Sequence, residues 1–200
     1  MHEDPTHGKR SPELHRSSAG HRARVLGAMG VLATLGVVTS PALAHAANAP
    51  SKSVPTRTVA FSGHYAGNVA LLIDNSKVTI SSVTGKGTGT LVGTSTVSGA
   101  GSASASAQCD PFSGRGAIAG PGTRIEFLVT SSSSQGCSSG ESGPITVTFK
   151  GVAKATGGTG KAKGVSGDLT FKGTLHLGNT TGSQKGEYTV TVTGRLALKG

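Results

Sequence analysis

The sequence predicts an all-β domain, an antiparallel up-and-down β-barrel, with a β-sandwich as the alternative. Three observations carry the prediction. Apolar residues fall at every second position through three successive long segments of the last third. A glycine sits in the middle of the apolar face of each segment (Gly151, Gly173 and Gly194). No amphipathic helical period of any length is present. Glycine inside a strand weakens it unless bending or close approach requires it, so three in matching places predict the sharp coiling that barrel closure imposes.

The chain opens with a leader rather than with fold. Lys9, Arg10, Arg16, Arg22 and Arg24 precede an apolar run from Val25 to Val38, and the small residues Ala42-Leu43-Ala44 and Ala44-His45-Ala46 follow. This is the pattern of a secretory signal peptide in residues 1–46, with cleavage predicted between Ala46 and Ala47 and with Ala44 and Ala49 as neighbouring alternatives. A spanning helix needs about 20 apolar residues. The run is shorter and carries Gly27, Gly30 and Gly36, so no transmembrane anchor is expected after cleavage. The expected location is extracellular or cell-envelope-associated, and the high-alanine, high-glycine leader looks bacterial.

The remainder is divided into a linker, residues 47–55, and one domain, residues 56–200. Arg57–Tyr65 and Val69–Ile73 read as strands, Asp74-Asn75-Ser76 as a turn, and Lys77–Val83 as the next strand. Gly87–Val97 and Ala100–Cys109 form a Gly/Ser/Thr/Ala pair, with Ala103, Ala105 and Ala107 on one face. Small residues there suit close approach of two layers or loose order. Thr123–Thr130 alternates Ile125, Phe127 and Val129 against Arg124, Glu126 and Thr130, and Ser131–Pro144 reads as a Ser/Gly loop. The last third follows with Ile145, Val147, Phe149, Gly151 and Ala153, then Leu169, Phe171, Gly173, Leu175 and Leu177, then Tyr188, Val190, Val192, Gly194, Leu196 and Leu198. Lys150, Lys172, His176, Thr189, Thr191, Arg195 and Lys199 occupy the opposite faces. One buried face and one wet face is the habit of an antiparallel meander.

Cys109 and Cys137 are the two cysteines, both beyond the leader, and an even count in an exported chain predicts one disulfide. Neither has a nearby histidine, so no metal site is expected, and no cofactor motif is present. Five of the seven histidines lie in the leader, leaving His64 and His176. Residues 47–200 carry 14 Lys and Arg against 6 Asp and Glu, a balance of +8. That charge suits anionic cell-envelope polymers. Scattered lysines that keep polar strand faces soluble and guard edges are the plainer alternative. Basic residues do not run together or interleave with the aromatics, so nucleic acid is not an expected partner.

Gly157-Gly158-Thr159-Gly160-Lys161, continuing to Gly167, has the glycines of a hairpin turn between two strand patterns. A phosphate loop would need Gly-Lys-Ser/Thr opening a helix, whereas Ala162 and then a strand follow Lys161. The stretch resembles the Gly-Gly-Thr-Gly-Lys/Arg signature of the dirigent protein and allene oxide cyclase barrels, and many secreted bacterial β proteins look similar here. It departs at Ala162, where that family usually has an aromatic, and at Val165, where alanine is usual. The resemblance implies an eight-stranded antiparallel barrel with an apolar lumen. No position carries over the family's catalytic acids.

No constellation of residues names a reaction, and no catalytic residue is assigned. Phe112 and Arg115, in the segment after Cys109, are the first candidates for ligand contact at a barrel mouth. Glu126 and Tyr188 complete the candidate set, although Tyr188 on the buried face also suits a core role. The residues favour a secreted, non-enzymatic barrel that binds a small apolar ligand or associates with the cell envelope. The alternative is a small isomerase or cyclase of the dirigent or allene oxide cyclase type, which needs an inward polar group such as Glu126 or Glu187. Oligomeric state is not legible.

Overall fold

The structure, a computed structural model, describes residues 55–140 and 143–199; the leader and its cleavage site lie outside the described residues. Among the described residues nine strands follow one another: β1 (Thr56–Asp74), β2 (Lys77–Gly89), β3 (Gly93–Ser104), β4 (Cys109–Asp110), β5 (Phe112–Gly120), β6 (Thr123–Ser139), β7 (Ile145–Thr159), β8 (Ser166–Leu177) and β9 (Gly182–Lys199). A 3-10 turn, Gly160–Ala162, joins β7 to β8. Every pairing is antiparallel, and the order is a meander in which β4 is a short extra strand on β6. β6 also pairs with β7, and β1 pairs with β9 from Thr56↔Lys199 to Ile73↔Gly182. The eight long strands therefore close into a barrel, and the sandwich alternative falls away. Closure removes the unpaired edges that an open sheet would expose.

Alternation sets the inside. On β1, Phe61, Tyr65, Val69 and Leu71 are buried while their neighbours Ser62, His64, Ala66 and Leu72 are exposed. The phase continues through Gly67, so the expected strands Arg57–Tyr65 and Val69–Ile73 are one strand. The Asp74–Lys77 connection is the expected tight turn. Asn75 and Ser76 both have positive φ (43° and 67°), which matches the right-handed twist of the strands they join.

Four expectations change. Gly87–Val97 is not one strand: the chain turns at residues 90–92, and Val92 tucks into the core. Ala100–Cys109 stops as a strand at Ser104, before the loop that leads to β4. Phe112 and Arg115, expected at a barrel mouth after Cys109, lie within a full strand, β5, paired with β3 and β6. β6 runs on to Ser139 through the expected Ser/Gly loop, and a register shift between Val129 and Ser134 absorbs the extra residues. These segments have few large apolar residues, so side-chain alternation is faint. Their ladders are made by backbone groups, which every non-proline residue supplies.

The middle of the barrel wall is coiled around inward glycines and aromatic rings. Phe149 stands opposite Gly173 on β8, and Phe171 opposite Gly151 on β7. The rings lean over the vacant positions, with their centroids 6.3 Å apart. A Cβ on Gly151 would lie 2.7 Å from the Phe171 ring. This is the close approach expected for Gly151 and Gly173.

At the open-loop end, the loop after β3 is held by Asp110. Its carboxylate accepts from the backbone N–H of Ser106 (3.0 Å) and Ala107 (2.9 Å) and from the Ser106 hydroxyl (2.9 Å). Next to it the expected disulfide joins Cys109 to Cys137 across directly paired positions of β4 and β6.

Candidate functional site

Eight strands make a barrel whose interior is just wide enough to be filled by side chains or to hold one small ligand. This barrel does each in a different half. Near the strand termini Thr56 and Lys199, Phe61, Val92, Ile118, Ile125, Ala162, Val165, Leu196 and Leu198 pack into a continuous plug. Ile125, Ala162 and Leu196 in that plug have no exposed surface. Toward the opposite end the inward positions of β3 and β5 become small: Gly99, Gly101 and Ala103 on one, Gly114 and Gly116 on the other. Space remains there, and a cavity of about 490 Å³ reaches from the plug to the rim at Gln108, Gly140 and Thr180. Its wall is apolar, with Val78, Ile80, Val97, Phe127, Leu175 and Val190 among its members. That volume and lining lie within the range of small-molecule sites.

Two tyrosines enter the interior, and their hydroxyls meet different fates. Tyr65 exchanges a 3.1 Å hydrogen bond with the Ser95 hydroxyl, which itself donates to the Gly93 carbonyl (3.1 Å). Burial raises the Tyr65 pKa, and the Ser95 bond partly opposes that. Tyr188 lines the cavity and is buried, and among the described residues its hydroxyl has no hydrogen-bond partner. Its strand position is opposite Gly67, and Gly67 is opposite Gly85 on β2. With no side chain in the way, the Tyr188 ring crosses β1 and brings its hydroxyl against Gly85. Burial pushes the Tyr188 pKa up to about 12. The hydroxyl is thus a neutral donor near pH 7, packed against Gly85 in the barrel wall, and a buried polar group left without a hydrogen bond costs free energy.

The sequence candidates separate on this frame. Phe112 and Tyr188 both face the cavity, and the Phe112 ring packs 5.9 Å from that of Phe171. Arg115, between the inward glycines Gly114 and Gly116, borders the cavity too, but it is exposed and in the outward phase of its strand, opposite Ala100 and Leu128, and Glu126 is exposed on the outer face opposite Ala117. Glu126 is engaged there by Arg124 at 3.2 Å. Glu187 is also exposed, opposite His176 and Asn68. His64 and His176 sit outside, each hydrogen-bonded to a threonine hydroxyl, Thr191 and Thr146 respectively, at 3.1 Å. Among the described residues no group of three or more His, Cys, Asp and Glu is placed to hold a metal ion. Likewise, among the described residues no helix is long and apolar enough to cross a membrane.

Sequence reasoning missed the lumenal role of β5 and of the Gly/Ala face of β3. A period-two signal was present in Phe112, Gly114, Gly116 and Ile118, but two of its four members have no side chain to mark it. The hairpin Gly157–Lys161 forms the β7–β8 connection, at the plugged end and away from the cavity.

No family model and no curated protein sequence matches the chain. Among solved structures, it is similar to that of a pterocarpan synthase dirigent protein, at 16% identity and a TM-score of 0.31, covering 73% of this chain and 97% of the other. Likeness at that level bears on neither activity nor ligand.

Proposed function

We propose that this protein is a secreted binding barrel that takes a small apolar molecule bearing one hydrogen-bond acceptor. The observation that carries this reading is the unpartnered Tyr188 hydroxyl in the wall of the cavity. With the ring turned from Gly85 toward the lumen, a carbonyl or ether oxygen on a ligand would satisfy it, while the apolar lining removes the rest of the ligand from water. The disulfide supports export, since such bonds persist in oxidising compartments. Mass measurement of the exported protein is expected to show a chain that begins at Ala47; a chain retaining residues 1–46 would overturn the secretory reading.

The second reading, a small isomerase or cyclase of the dirigent or allene oxide cyclase type, has the barrel and the hairpin resemblance in its favour. The acids it would enlist, Glu126 and Glu187, stand on the outer face. Binding is therefore the better supported of the two.

Tyr188→Phe separates the hydroxyl from the ring. Without ligand, the variant is expected to be more stable by about 1 kcal/mol, because a buried, unsatisfied donor is gone. Ligand preference is expected to move the other way. With N-phenyl-1-naphthylamine as a neutral lumenal probe, an apolar ketone should displace it about tenfold better than the matching hydrocarbon in the native protein, and no better in Tyr188→Phe. A ketone preference that survives the substitution, or failure of both compounds to displace the probe, would overturn the proposal.

A further inference from the structure

The outer wall carries a second feature, independent of the lumen. Across β1, β9, β8, β7 and β6, one row of outward positions reads His64, Thr191, Lys172, Lys150 and Gln135, each directly opposite the next. The adjacent row reads Lys86, Ala66, Thr189, Thr174 and Thr148, from β2 to β7. These residues line a shallow hollow of about 840 Å³ on the side of the barrel.

Lys150 and Lys172 are directly opposed, and like charges in that position destabilise a sheet. The carboxylates nearest in register lie outside the two rows and are already flanked. Asp168 stands between Lys154 and Arg195, and Glu187 stands between His176 and Asn68. Among the described residues, the hollow thus holds Lys86, Lys150 and Lys172 with no acid in its lining, alongside hydroxyls from Thr148, Thr174, Thr189 and Thr191.

We infer that this hollow is a binding groove for an anionic polysaccharide. Lys86 and Lys172 lie three strands apart, about 14 Å at the usual strand spacing, too far for one sulfate, phosphate or carboxylate to bridge. A linear chain with repeated charges reaches both. The threonines and Gln135 can hydrogen-bond sugar hydroxyls between the charges. Nucleic acid fits less well, because the five phenylalanines and both tyrosines all turn inward, leaving no aromatic platform for bases.

Binding of the protein to dextran sulfate, with uncharged dextran as reference, at about 0.15 M salt tests this. The native protein is expected to bind only the sulfated polymer. Lys150→Gln with Lys172→Gln should weaken binding about tenfold. The same charge change at the plugged end, Lys161→Gln with Lys163→Gln, should leave affinity within about twofold. An unchanged melting temperature in the first pair shows that folding is intact. Equal losses from both pairs would mean net charge alone is read and would overturn the groove. Absence of dextran sulfate binding would overturn it too. A single-stranded DNA of equal charge binding as tightly, with the same loss in the first pair, would overturn the assignment to polysaccharide.

Discussion

Replacing Cys109 and Cys137 together by serine is expected to destabilise the barrel by about 3 kcal/mol. The bond closes a 28-residue span, and in the chain-entropy account it acts by restricting the unfolded chain. That span holds all of β5, whose inward positions include Gly114 and Gly116, and most of its neighbour β6. β4 has only two residues to pair with β6, assisted by a 2.8 Å bond from the Ser138 N–H to the Gln108 carbonyl. Without the covalent tie, the rim loop keeps its hydrogen bonds to Asp110 and the bond from the Ala105 N–H to the Ser76 carbonyl (2.8 Å), but loses its covalent link to β6. The measurement is a denaturant midpoint in the native protein, the reduced native protein and the double-serine variant. Reduction should lower the first to the level of the third, with similar slopes. A midpoint indifferent to reductant would show that the bond contributes nothing to stability.

Gly173→Ala should cost about 3 kcal/mol, the upper part of the range for overpacking a core. A Cβ there would stand 2.6 Å from the Phe149 ring, and the Thr189 carbonyl oxygen on β9 is closer still. The ring can rotate away, but the carbonyl belongs to the β8–β9 ladder and cannot yield without breaking pairing at Gly173↔Val190. Gly178→Ala, where a Cβ meets nothing within 4 Å, is the internal control. It should fall within about 0.5 kcal/mol of the native protein. Equal unfolding midpoints for the two variants would refute the claim that the wall is pinched at Gly173.

The strands legible in sequence were those whose large apolar residues declare a face. Leu169, Phe171, Leu175 and Leu177 on β8, and Tyr188, Val192, Leu196 and Leu198 on β9, needed no partner to be read as one inner surface. The matched glycines among them carried real information about coiling, since each sits where a neighbouring strand or ring comes too close for a side chain. β5 was hidden by the same physics. Its inner face is Phe112, Gly114, Gly116 and Ile118, and a strand half made of glycine has a ladder but no hydrophobic period. The candidate site divided similarly. Alternation alone placed Tyr188 inside and Glu126 on the polar face of its strand, yet nothing local distinguished Tyr188 from Tyr65.

By itself, then, the sequence determined the all-β class, the inner and outer faces of the well-marked strands, and the pairing of its two cysteines. Each of these depends on residue type at short period, or on having only one available partner. The tertiary structure decided that β1 meets β9, that the small inward residues of β3 and β5 stand together as empty volume, and that Ser95 reaches Tyr65 while no group reaches Tyr188. It also brought Lys150, Lys172 and Lys86, from three separate strands, to one side of the wall. Those outcomes depend on register between distant segments, which backbone hydrogen bonds and closure of the ring establish together.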